Sequence, residues 1–345
     1  MAILDCLPDP VLLLNSERGI VEANAAARAL FGENLRGRSL LAVLRAPSVL
    51  AAFDNVLANG GEKLVETTLP APVEQVFMVR AVALDAKAQP PVRVVLVLSE
   101  TTMLKKTEQL RADFVANVSH ELRSPLSALL GIVETLRKHA ANDAEARARF
   151  LEIMNSEAKR MARLVDDLLS LSRIEVNEHV PPSGRVEIQH ILEHVLSLLE
   201  RQAAAREMSL SLDCPERLAP VIGSGDELTQ VFQNLIDNAI KYGREGTAVE
   251  VSVTPLTRLP GSDSPGLTIT VRNQGEGIPA QDLPRVTERF YRVDKARSRE
   301  MGGTGLGLAI VKHIVSRHRG RLNITSQTGQ GTTVSVQLPV STSVN

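Results

Sequence analysis

Residues 114–131 read FVANVSHELRSPLSALLG. Apolar side chains recur every three or four positions through Val115, Val118, Leu122, Leu126, Leu129, Val133 and Leu136, the spacing of one helical face. At roughly 100° per residue with Val118 at zero, Leu122 falls at about 40°, Val115 at about 60° and His120 at about 200°. His120 therefore points away from the apolar stripe, and Ser124, four residues on, shares its face. Pro125 has no N–H to give the Glu121 carbonyl, and an interior proline costs about 3 kcal/mol relative to alanine. A bend just beyond an exposed histidine is expected, in a helix otherwise regular.

A second periodic stripe follows at Phe150, Ile153, Met161, Leu164, Leu168 and Leu171, after HAANDAEAR, where Asn142 can cap a helix with Glu145 three residues on. Two amphipathic helices joined by a short loop make a helical hairpin. A stripe on each helix is more than the pair can hide, so a homodimer forming a four-helix bundle is expected.

On the N-terminal side, VLLLN (11–15), KLVETTL (63–69), EQVFMVRAVAL (74–84) and VRVVLVLSE (92–100) read as strands, and GIVEANAAARALFG (19–32) as a strand, a turn and a small helix. On the C-terminal side, VNEHVPPSGRV (176–186) is a proline-bearing linker. Beyond it come helices near 187–206, 226–242 and 304–318, strands near 208–213, 247–254 and 267–273, and a terminal hairpin. The division expected is 1–102, 103–175, a linker at 176–186, 187–340 and a tail at 341–345.

At 345 residues the chain is too long for one core. A formal net charge of −1 and only seven Phe, two Tyr and no Trp argue against a direct nucleic-acid partner. Cys6 and Cys214 offer no disulfide framework and no zinc spacing. No apolar run reaches the roughly 18–20 residues of a membrane span, so a cytoplasmic chain, whole or as the soluble part of an anchored protein, is expected.

An isolated exposed histidine is ordinarily just solvated. Here FVANVSHELRSPLSALLG resembles the phospho-acceptor box of sensor histidine kinases. The resemblance implies that His120 is phosphorylated from ATP and passes the group to an aspartate of a response regulator. It also implies that Glu121 orients or deprotonates the imidazole, and that Ser124 takes the place where the family usually has Thr or Asn to position the water that dephosphorylates the regulator.

Downstream there is no G-x-x-x-x-G-K-[ST], and the glycine spacing of GGTGLGLAIVKH (302–313) does not fit a dinucleotide fingerprint. The region instead resembles the ATP-binding fold shared by histidine kinases, type II topoisomerases and Hsp90-type chaperones. In QVFQNLIDNAIKYG (230–243), Asn234 and Asn238 share one helix face. The resemblance makes Asn234 a ligand of Mg²⁺, puts Asn238 and Lys241 on the phosphates and sets Tyr242 nearby.

NQGEGIP (273–279) resembles the first glycine box, with Gly275 and Gly277 letting backbone approach the adenine. Asn273 stands where the family normally has Asp, and a neutral acceptor implies roughly tenfold weaker nucleotide binding. TERFYRVD (287–294) resembles the F-box, with Phe290 and Tyr291 under a lid carrying Lys295, Arg297 and Arg299. Gly303, Thr304, Gly305, Leu306 and Gly307 open the helix that receives the phosphates, and GQGTTV (329–334), with Thr332, closes the adenine pocket.

Residues 5–100 resemble a PAS sensor domain. They contain no histidine and only Cys6, which excludes His-ligated haem and argues against a flavin–cysteine adduct. A core filled by its own side chains is expected. The whole implies a multidomain α+β chain: a PAS-like α+β domain, a hairpin forming a dimeric bundle, and an α/β sandwich for ATP. GIVETL and ERFYRVD look most like the phosphate-regulon sensor subgroup. Two other classes use the same residues: an ATP-driven clamp of the topoisomerase or chaperone type, and a non-catalytic scaffold with a weakened nucleotide site.

Overall fold

In the computed structural model, residues 2–69, 75–84, 92–138, 143–176, 180–261, 263–294 and 303–341 are described. The chain divides between Ala116 and Asn117 into two units.

The first unit is built on a five-stranded antiparallel sheet of β1 (Val11–Leu14), β2 (Ile20–Ala23), β3 (Glu62–Leu69), β4 (Gln75–Ala83) and β5 (Val94–Glu100), in the order β2-β1-β5-β4-β3. A turn of helix, α1 (Ala2–Asp5), precedes it. Between β2 and β3 lie α2 (Ala25–Phe31), α3 (Leu40–Val43) and α4 (Pro47–Asn59). The strand-and-turn reading left α3 and α4 unassigned. Yet Val49, Ala52, Phe53 and Val56 carry a helical spacing, and all four are buried against sheet residues such as Leu12, Phe77, Val79 and Leu96. Pro47 opens α4 and Gly60 ends it at φ 70°, the usual asymmetry of helix ends.

Buried Asn24 holds this unit's N-terminal corner. Its Oδ1 accepts from Val11 N and Ala27 N, both at 2.9 Å, and its Nδ2 donates to the Leu4, Leu7 and Asp9 carbonyls. One side chain thus caps α2 and anchors β1.

Two long helices follow, α5 (Thr102–Lys138), which runs across the unit boundary, and α6 (Ala144–Val176). The Asn142 cap lies outside the described residues; Asp143 Oδ1 accepts from Ala146 N at 2.9 Å. Pro125 sits inside α5 and is buried.

The stripe expected to be buried on α5 is only partly so. Val115 is 59% exposed, Leu126 49% and Val133 38%, while Val118, Leu122, Leu129 and Leu136 are half-buried. This is the excess of apolar face that the sequence raised, for α6 also leaves Leu151, Ile153, Val165 and Leu169 exposed.

The remainder of the second unit is a five-stranded sheet of β7 (Ser209–Asp213), β9 (Ala248–Leu256), β10 (Gly266–Asn273), β11 (Arg321–Gln327) and β12 (Gly331–Pro339). Its order is β11-β12-β10-β9-β7, and only β7 and β9 pair in parallel. Three amphipathic helices pack on it: α7 (Ile188–Ala204), α8 (Gly225–Tyr242) and α9 (Gly307–Arg317). Within the stretch read as linker, β6 (Arg185–Val186) pairs with β8 (Val221–Ile222), a two-residue ribbon too short to carry a sequence signal.

Candidate active site

The α8 sequence puts Leu228, Val231, Phe232, Leu235, Ile236, Ala239 and Ile240 in the core. That burial turns the opposite edge, with Asn234, Asn238 and Lys241, onto a cavity of about 530 Å³. Asn273, Gly277, Gly303, Thr304, Gly305, Gly307, Thr332 and the half-exposed Tyr242 also line it. Residues from four separate boxes of sequence thus meet in one space. Leu306 is fully buried beneath it, and Gly275 packs from behind, where a Cβ would come within 2.5 Å of the Tyr242 carbonyl. Arg297, with Lys295 and Arg299, lies outside the described residues.

Local backbone explains the glycines that matter. Gly277 has φ +72° and abuts the Gln327 carbonyl, so a side chain there would be both strained and blocked. Gly305 has φ +74° and lies against Phe290, whose N–H donates to the Gly305 carbonyl at 2.8 Å. Phe290 is itself at φ 63°, a conformation that costs a non-glycine residue free energy. Gly307 opens α9, and a Cβ there would meet Asn234 Oδ1 at 3.0 Å.

Two contributions come from α6, and sequence reasoning missed both. Arg163 and Asp167 line the same cavity. Asp167 Oδ2 accepts from Thr304 Oγ1 at 2.7 Å, and Thr304 Oγ1 accepts in turn from Leu306 N at 3.3 Å. Burial pushes the Asp167 carboxyl above its ordinary range, while the Thr304 hydroxyl and the Lys241 charge pull it back. Lys241 Nζ also donates to Asp237 Oδ2 at 2.5 Å.

On α5, His120 is exposed, as the helical wheel requires, and Ser124 is exposed one turn on. Glu121 turns the other way. Its Oε2 accepts from Arg160 Nη2 at 2.7 Å and from Arg292 Nη2 at 3.2 Å, with side-chain exposures of only 16%, 10% and 5% for Glu121, Arg160 and Arg292. Glu121, Pro125, Arg160, Met161, Leu164 and Thr304 border one crevice, so the proline is buried where α5 meets the glycine-rich loop. Nothing in the spacing of HELRSP marks Arg160 or Arg292 as partners of Glu121. Further polar links join α6 to this lobe: Ser170 to Gln230 at 2.8 Å, and Arg289 to Glu175 at 2.6 Å.

Residues 110–177 match the His Kinase A phospho-acceptor domain, residues 223–342 the histidine kinase-, DNA gyrase B- and HSP90-like ATPases, and residues 1–61 the PAS domain. This is the domain set of two-component sensor histidine kinases. A sensor protein kinase WalK of Staphylococcus aureus is 38% identical over 247 residues, covering 71% of this chain and 57% of that relative. A longer WalK from strain JH9 has the same identity, with 39% of its length covered. The chain thus spans about half the length of these sensor-kinase relatives.

A solved histidine kinase, ThkA in complex with the response regulator protein TrrA, shares the fold. Its TM-score is 0.50 at 21% identity, over 99% of this chain and 98% of that one. The named relatives are WalK sensors, and the phosphate-regulon likeness read from GIVETL and ERFYRVD finds no support among them.

Proposed function

We propose that the chain is a protein-histidine kinase. It transfers the γ-phosphoryl group of ATP to His120 and then to an aspartate of a response regulator, with Ser124 positioning the water that hydrolyses the aspartyl phosphate. The observation that carries this is the single cavity where Asn234, Asn238, Lys241, Asn273 and Thr304 meet, on the same compact unit as an outward-facing histidine. The donors suit the substrate: amide oxygens, an ammonium group and the N-terminus of α9 are fitting partners for a polyphosphate and its cation. The close seat of Gly307 against Asn234 leaves room there that any Cβ would take. Asn234 would hold Mg²⁺, which supplies charge neutralisation at the phosphates that Asn238 contacts.

In this reading Lys241 and Thr304 orient the terminal phosphoryl group, and the imidazole attacks phosphorus in line, so catalysis is mostly positioning and charge stabilisation. Glu121 acts on the imidazole only after leaving its two guanidinium partners. Dimerisation runs through the hairpin, supported by uncovered Leu126, Leu130 and Leu151. The domain limits stay at 102, 175, 186 and 340. No helix among the described residues is long and apolar enough to cross a membrane; the reading places the chain in the cytoplasm, where ATP and regulators are found.

The test is incubation with γ-labelled ATP and Mg²⁺. Acid-labile label on the native chain and none on His120→Gln supports the kinase. Hydrolysis without protein label would point to an ATP-driven clamp, and no nucleotide binding to a scaffold.

A further inference from the structure

The cavity has two chemically different sides. Asn234, Lys241, Thr304 and the start of α9 supply donors and charge on one. The other is floored by the sheet: Val271 and Asn273 lie two apart on β10, with Val334 and Thr332 opposite them on β12. Ile278 and Val286 add apolar wall. An apolar slot with one buried carboxamide fits a flat heteroaromatic base read by one polar edge. Asn273 is only 8% exposed, so a base edge left unmatched there is not rescued by bulk water.

The carboxamide is held weakly. Its Nδ2 donates to the Gln274 carbonyl at 3.3 Å, and that carbonyl already accepts from Arg244 N at 2.8 Å. With Nδ2 so engaged, Oδ1 remains as an acceptor for an exocyclic amine such as that of adenine. Half a turn about the terminal side-chain bond presents the NH₂ instead, a donor suited to a 6-oxo group. The turn forfeits one long neutral hydrogen bond, while the Gln274 carbonyl keeps its partner in Arg244. A carboxylate at this position has acceptors only, in either orientation.

We propose that Asn273 sets the base selectivity of the site and widens it, so that 6-oxopurine nucleoside triphosphates bind alongside ATP. This rests on the nucleotide-site reading above. The lost hydrogen bond corresponds to a preference for ATP over inosine triphosphate of about tenfold or less. Inosine triphosphate is the cleaner probe, because hypoxanthine lacks the 2-amino group that guanine would also have to fit.

The experiment is titration calorimetry of the full chain with Mg²⁺ and ATP, inosine triphosphate or uridine triphosphate, repeated on Asn273→Asp. Expected are a ratio of about tenfold or less between ATP and inosine triphosphate in the native chain, and roughly a hundredfold in the variant. ATP binding with inosine triphosphate more than about a hundredfold weaker in the native chain would overturn the inference. An equal ratio in the variant, or uridine triphosphate binding as well as the purines, would overturn it too. If ATP itself fails to bind, the nucleotide-site reading falls, and the inference with it.

Discussion

Glu121 and His120 are adjacent in sequence and opposite in circumstance. The imidazole stands in solvent, while the carboxylate sits between two guanidinium groups at 2.7 and 3.2 Å. Replacing His120 by Gln therefore disturbs no packing; the expected outcome is loss of acid-labile label with nucleotide affinity unchanged, read by autoradiography and calorimetry. Replacing Arg160 by Met should behave differently. It removes the nearer of two guanidinium groups from a mostly buried carboxylate, and stability should fall by about 1–3 kcal/mol in urea unfolding. A loss under about 0.5 kcal/mol would mean that Glu121 turns to solvent at no cost. His120 and Glu121 are both legible as residues in HELRSP, but the guanidinium partners of Glu121 are not.

The end of α9 is tied to the start of α8 by His318, whose side chain is fully buried. Its Nδ1–H donates to the Ile314 carbonyl at 2.8 Å, and its Nε2 accepts from Ser224 N at 3.0 Å. Only the neutral ring can do both. Burial pushes its pKa below 6.5, although Glu227, 3.7 Å from Nδ1, opposes the shift and Arg317 adds to it. The folded state therefore binds fewer protons than the unfolded one. The stabilisation is complete above pH about 6.5 and is lost as pH falls through the folded-state pKa. Thermal unfolding between pH 7.5 and 5.5 should show this slope, and His318→Gln should flatten it; an unchanged slope would remove His318 as its source.

Asp167 reaches the nucleotide cavity from another helix. It is a half-buried carboxylate on α6 that takes the Thr304 hydroxyl and faces Lys241, the groups a phosphate would use. Asp167→Asn keeps an acceptor for Thr304 but removes the charge, so ATP should bind several-fold more tightly, as calorimetry can check. Weaker binding would instead make the carboxylate part of the nucleotide's support.

For the whole molecule, the question is what covers the hairpin. Leu130 is 60% exposed and Leu126, one turn before it, 49%. A charge at this face should cost a self-associating bundle far more than it costs a monomer. Leu130→Glu should shift the chain from dimer to monomer in analytical ultracentrifugation while leaving helix content intact; a monomeric native chain would refute the four-helix bundle.

Much of this architecture was open to reading in the chain itself. The outward histidine, the shared face of Asn234 and Asn238 and the apolar core of α8 all follow from a period of 3.6, set by residues within a few turns of one another. The glycines of NQGEGIP announce close backbone approach in the same local way. What the chain alone could not supply is the pairing of distant charge. Asp167 meets Thr304 across 137 residues, and Glu121 meets Arg292 across 171. Each of those side chains, read locally, belongs to an ordinary solvated helix or loop. Only the packing of α5 and α6 against the nucleotide lobe removes their water and so selects their partners, because a charge taken out of solvent must find its opposite wherever the fold has brought it.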